Sequence, residues 1–199
     1  MRRPDVATPL LILVLTTSAH AECMRRSGSD VRDVRSPNGQ LEVRVVSRGL
    51  ANSAAAKAEW YRLGGGAPQQ FRILALLNPI APNDFIVTND GTLVTFDDRC
   101  SLGRENAVVI YSPSGDVVKK YSLKDLYSHE DIRRFDEEWD EEGTIWRCYS
   151  ASSLVLSPSR ELSVGDDLTV TDAVGGRFVF TLATGSFKYE RGATHCSDP

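Results

Sequence analysis

Apolar side chains recur at every second position through much of this chain. Leu41, Val43 and Val45 fall on one side of a ribbon, and Glu42 and Arg44 on the other. The same alternation pairs Val94 with Phe96, Leu168 with Val170, and Phe178 with Phe180 and Leu182. A period of two predicts half-buried β-strands. Val108, Val109 and Ile110 are apolar without a break, which predicts a central strand covered on both faces. Turn signatures separate these runs. Ser36-Pro37-Asn38-Gly39 and Ser112-Pro113-Ser114-Gly115 carry Pro at the second position and Gly at the fourth, and Thr88-Asn89-Asp90-Gly91 is a variant. Ser157-Pro158-Ser159-Arg160 starts the same way but ends in Arg, which predicts a different loop backbone. The turns at 112 and 157 lie 45 residues apart, near the length of a four-stranded propeller blade, whereas the interval from 36 to 112 is 76. Residues 85–126 alone read as four short strands joined by glycine turns.

One short amphipathic helix interrupts the strands. Ser128 and Asp131 form a weak capping box, and Ile132, Phe135 and Trp139 follow at helical spacing. The acidic run from Asp136 to Glu142 opposes the macrodipole at that helix's C-terminus, so an exposed acidic loop is expected there. Residues 54–58 fit either a short helical turn or a loop. Gly64-Gly65-Gly66 lacks the lysine and hydroxyl of a phosphate loop and predicts a hairpin tip.

The stretches Leu74–Pro82, Val87–Asp98 and Val108–Leu126 together resemble the blades of NHL-type β-propellers found in proteins exported by bacteria. The resemblance covers residues 36–126 well and 150–188 weakly. It implies a mainly β fold of antiparallel, propeller-like hairpin repeats, and it carries over no catalytic residue, cofactor or metal site. Closed propellers need four to eight blades, and only two or three are visible here. A twisted β-sandwich is therefore the second architecture the resemblance leaves open.

The N-terminus adds an address. Arg2 and Arg3, the apolar run Leu10–Leu15 and Ala19-His20-Ala21 have the layout of a signal peptide cleaved after Ala21. The apolar run is short of the roughly 20 residues a spanning helix needs. The expected organisation is a signal peptide at 1–21, a flexible segment at 22–35, one β-rich domain at 36–190 and a tail at 191–199. Removing residues 1–21 leaves 178 residues with 21 basic against 26 acidic side chains. That mildly acidic balance, without a basic cluster, argues against nucleic acid as a partner. Localisation is expected to be periplasmic or extracellular. Four cysteines in an exported chain read as disulfides. Of the three pairings, we expect Cys23 with Cys196, tying the two tails, and Cys100 with Cys148.

Candidate chemistry is sparse. The cysteines contain no Cys-x-x-Cys pair and only His129 and His195 follow residue 21, so no zinc site is expected. The contiguous acids of 136–142 lack the spaced ligands of a calcium loop. Asp97 and Asp98 are adjacent on a strand and point to opposite faces, so they do not pair for acid–base work. No nucleophile elbow or placed histidine suggests a hydrolase. Trp60, Tyr61, Trp139 and Trp146 are candidate groove aromatics. Core packing is the commoner fate of such rings, and Trp139, in the most polar stretch, is the candidate exposed contact. The function these features predict is non-catalytic: binding a partner protein or cell-envelope component through loops at one sheet end, without metal or cofactor. The alternative is a small exported hydrolase-like enzyme whose loop-built site leaves no linear motif.

Overall fold

In a computed structural model, residues 30–47, 55–98, 103, 105–135, 146–148, 154–158 and 166–192 are described. Twelve strands lie among them, in three four-stranded antiparallel sheets, each a simple meander. The first contains β1 (Asp30–Arg35), β2 (Leu41–Ser47), β3 (Lys57–Arg62) and β4 (Gln69–Ala75). The second contains β5 (Pro82–Val87), β6 (Leu93–Asp98), β7 (Val108–Tyr111) and β8 (Val117–Tyr121). The third contains β9 (Leu154–Pro158), β10 (Asp166–Thr171), β11 (Arg177–Thr181) and β12 (Ser186–Glu190).

Four turns of the first two sheets are legible in the chain. Gly39, Gly91 and Gly115 take φ of 67°, 96° and 93°. Each donates its N–H to the carbonyl three residues back, at 2.8, 3.2 and 2.9 Å. Gly64–Gly66 is the tip of the β3–β4 hairpin. Lys57 and Ala58 belong to β3, so the strand extends into the segment that fitted a helical turn or a loop.

The 45-residue interval between Ser112 and Ser157 does not mark a repeat. Ser112 closes the third hairpin of the second sheet, whereas Ser157 lies in the first strand of the third. The equivalent first-hairpin positions are Ser36, Thr88 and the β9–β10 connection. The second and third hairpins of the third sheet turn at Gly175 (φ 88°) and Gly185 (φ 70°), without a Ser-Pro signature.

Residues 30–35 are not a flexible segment. They form β1, paired in register with β2 from Asp30↔Ser47 to Arg35↔Glu42. Their charged composition conceals an alternation. Arg32 and Val34 turn inward, and the Arg32 guanidinium donates to the carbonyls of Asn83, at 2.7 Å, and Pro82 at the start of β5. Asp33 and Arg35 turn outward and find opposite charges on β2: Arg44 at 2.8 Å and Glu42 at 2.9 Å.

The second sheet is the middle layer, which explains the continuous apolar run of β7. Val43, Val45 and Trp60 of the first sheet pack on Phe85, Leu93, Val109 and Tyr111. Val94, Phe96, Val108 and Ile110, on the other face, pack on Leu168, Val170, Phe178 and Phe180 of the third. Polar ties cross both seams. Trp60 Nε1 donates to the Gly91 carbonyl at 3.1 Å, and the Leu77 N–H donates to the Tyr111 hydroxyl at 2.8 Å. The Tyr121 hydroxyl donates to the Gly185 carbonyl.

Two short helices, rather than one, follow β8. They are α1 (Leu123–Leu126), capped by Ser122 and Asp125, and α2 (His129–Phe135). The Ser128 hydroxyl accepts the Asp131 N–H at 3.2 Å, and Ile132 packs against the second core. Among the described residues no helix is long and apolar enough to cross a membrane.

Candidate functional site

Three polar assemblies stand out: one buried, one centred on a buried aspartate whose tyrosine partners line a small surface pocket, and one open.

The first lies between the second sheet and the segment 146–148. Strand alternation would place Asp97 with Leu93 and Thr95, but its φ of 53° turns it round. Its Oδ1 accepts Trp146 Nε1–H at 2.7 Å and the Gly103 N–H at 2.8 Å. Its Oδ2 lies 3.5 Å from Arg147 Nε. Arg147 also reaches Asp84 Oδ2 at 3.5 Å and stacks over Phe96, 4.8 Å from the ring centroid. Burial pushes the Asp97 carboxyl up to about 6, against the opposing pull of Arg147, Trp146 and Gly103. A raised carboxyl is a mark of catalytic acids. Here Asp97 and Arg147 are both buried, and Arg147 is engaged by Asp97 and by Asp84. Asp98 goes elsewhere, accepting Asn78 Nδ2–H at 2.9 Å and Asn106 Nδ2–H at 2.7 Å. The two aspartates share neither partners nor a site.

The second is centred on Asp172. Its Oδ1 accepts the N–H groups of Val174, at 3.1 Å, and Gly176. Its Oδ2 accepts the hydroxyls of Tyr127 at 3.1 Å and Tyr189 at 2.6 Å. Burial and this carboxylate both hold the phenols above their ordinary pKa, so they stay protonated donors. With four donors satisfied, Asp172 ties the β10–β11 turn to β12 and to Tyr127 between the helices.

The third is the outer face of the third sheet. Alternation sends Leu168, Val170, Phe178 and Phe180 inward and leaves Asp167, Thr169, Val179 and Thr181 outside. Register sets them in rungs. Ser157, Asp167, Thr181 and Ser186 align across all four strands. Val155, Thr169, Val179 and Lys188 form the next rung. Beyond it, Arg177 and Glu190 form an ion pair. All of these except Val155, together with Phe187, line a groove of about 410 Å³. Asp167 is only 7 % exposed, and its Oδ1 is a buried acceptor with no hydrogen-bond partner. Leaving such a group unsatisfied costs about 1–3 kcal/mol.

The outer face of the first sheet provides the contrast. Several of its charges are matched: Arg44 with Asp33, Arg35 with Glu42, and the Tyr61 hydroxyl with Glu59 at 2.6 Å. That face is a solvated ladder with exposed Val31 and Ile73 at its margins.

The groove's two carboxylates do not pair. Asp167 and Glu190 stand two strands and four residues apart, about 16 Å between Cα positions by strand spacing. Glycosidase carboxylates sit roughly 5–9.5 Å apart. Among the described residues no group of three His, Cys, Asp or Glu side chains could hold a metal ion.

Of the residues singled out in the chain, Trp60 and Trp146 are fully buried and serve the cores, and Tyr61 lies half-buried on the first sheet's outer face. Cys148 is buried and not free, its sulfur 3.2 Å from the Asp172 carbonyl oxygen. Cys23, Cys100, Cys196, His195, Trp139, the acidic run 136–142 and the signal segment 1–21 lie outside the described residues. Sequence reasoning missed Asp167, Arg147 and Asp172. Asp167 was within reach: Asp167-Leu168-Thr169-Val170-Thr171 alternates cleanly, so a carboxylate on the outward face could have been read off.

Compared with known proteins, the chain matches no family model and no curated protein.

Proposed function

We propose that this chain is an exported, non-catalytic binding module that engages a partner protein or cell-envelope component through the groove on the third sheet. The observation that carries this is Asp167, a buried carboxylate with an unpartnered oxygen on an otherwise hydroxyl-lined rung. The sheet face, rather than loops at a sheet end, is then the contact surface. In this account the signal segment is cleaved after Ala21 and the protein works in the periplasm or outside the cell. Cys100 pairs with Cys148, and Cys23 with Cys196. Three stacked four-stranded meanders form an open, propeller-like array of NHL-type blades. Two features support the open form: the first sheet's outer face carries charge pairs, Arg35 with Glu42 and Arg44 with Asp33, and the third sheet's is hydroxyl-rich. Neither needs a further blade to cover it.

Site-specific photo-crosslinking tests the reading. A photoreactive side chain at exposed Ser186, in the groove, should capture a specific partner in the exporting cell. The same group at exposed Ile73, on the first sheet, should not. Capture from Ile73 alone would move the binding surface to the other end of the stack and end this account of the groove.

A further inference from the structure

We propose that the groove takes a cationic side chain, the ammonium or guanidinium of a basic segment on a partner protein, seated against Asp167. This inference rests on the groove being the binding surface and goes on to name the chemistry of what enters it.

Asp167 Oδ1 can only accept a hydrogen bond, so its complement is a donor. Its rung neighbours Ser157, Thr181 and Ser186 are hydroxyls, which can turn their lone pairs to a multi-donor cation. At the same end of β10, Asp166 lies on the inward face and stands near Asp90 of the β5–β6 turn in the second sheet. Burial raises the Asp166 carboxyl, and the charges of Asp90 and Asp167 raise it further, so negative potential gathers at that end. Among the described residues, Arg177 and Lys188 are the cations that line the groove. Arg177 is paired to Glu190 two rungs away. Lys188 stands two strands and one rung from Asp167, about 12 Å by strand spacing.

Other ligand classes fit less well. A divalent cation wants six or more oxygens at short range, and no cluster of that kind occurs among the described residues. A neutral sugar gains from stacking on an exposed ring, whereas the ring at the groove's lining, Phe187, is half-buried and packs on Tyr121, Phe178 and Phe180. An anion would meet Asp167 with like charge.

The test is a titration of the isotope-labelled mature protein, followed by backbone amide shifts. The probes are acetyl-Gly-Lys-Gly-Arg-Gly-amide, its counterpart with Glu at both charged positions, and a neutral gluco-oligosaccharide. The basic peptide should shift the amides of Asp167, Thr169, Thr181 and Ser186, and raising the salt from 50 to 300 mM should weaken it. D167N should lower its affinity about 10- to 100-fold, the loss of one charge-assisted hydrogen bond. Ser157→Asp, which adds a carboxylate at an exposed rung position, should tighten it and so tests the idea independently of any folding defect in D167N. Shifts from the sugar but not the basic peptide overturn the cationic assignment and leave the groove intact. Basic-peptide shifts that are indifferent to both substitutions overturn it too. If no probe moves these amides the cationic assignment also fails, and capture from Ser186 then decides the groove separately.

Discussion

Replacing Asp97 by Asn isolates the electrostatics of the sealed seam from its geometry. The Asn side-chain oxygen can still accept from Trp146 Nε1 and the Gly103 N–H, at present 2.7 and 2.8 Å away. Asn also tolerates the left-handed φ of 53°. What disappears is the titratable charge facing Arg147. The Asp97 carboxyl is raised from 3.8 to about 6, chiefly by burial. A carboxyl whose pKa is higher folded than unfolded holds its stabilising proton fully below pH 4 and loses it as pH rises through 6. Linkage over this window makes the Asp97 contribution fall by on the order of 2 kcal/mol between pH 4 and pH 7. Urea unfolding of the wild type and D97N at pH 4, 5, 6 and 7 gives two stability profiles, and subtracting one from the other removes the titrations they share. The difference, wild type minus variant, should decline with rising pH and flatten above 7. A difference that climbs with pH would mean that attraction to Arg147 outweighs burial, and the reasoning about this seam would be wrong in sign.

Three further outcomes follow from the packing. G185A should destabilise by roughly 1–3 kcal/mol, because a Cβ there meets Lys119 Cβ at 2.5 Å and φ is 70°; thermal melting reads it, and an unchanged Tm would dissolve the claimed contact between β8 and the β11–β12 turn. W60F should lose about 1–3 kcal/mol by stranding the Gly91 carbonyl that Nε1 now satisfies at 3.1 Å, a change visible in chemical denaturation. Tyr127→Phe and Tyr189→Phe, combined in a double-mutant cycle, should couple by at least about 0.5 kcal/mol through their shared acceptor Asp172, whereas strictly additive losses would show that the two phenols act independently.

Much of the fold is legible along the chain, and the failures have physical causes. The Gly39, Gly91 and Gly115 turns are readable because a left-handed residue after Ser-Pro or Asn-Asp leaves few alternatives to glycine. The centrality of β7 is readable because a layer covered on both faces has no polar side. β1 escaped because its inward Arg32 makes its ties through backbone carbonyls of β5, which no pattern of residue types discloses. The spacing of Ser-Pro turns misled because a turn's chemistry serves any hairpin and does not say which one. The sealed seam was invisible for a related reason: reversing Asp97 takes one backbone angle, and strict alternation cannot anticipate it. Asp167 could be placed on the outward face from alternation alone. That its oxygen lacks a partner emerges only once four strands are in register.

The central claim is that the third sheet's groove receives a partner's cation, and competition at the cross-linking site tests it most directly. With a photoreactive group at Ser186, the basic peptide should suppress partner capture in a dose-dependent way, while the neutral oligosaccharide leaves it unchanged. Capture that persists at saturating basic peptide, or that only the sugar abolishes, would contradict the account.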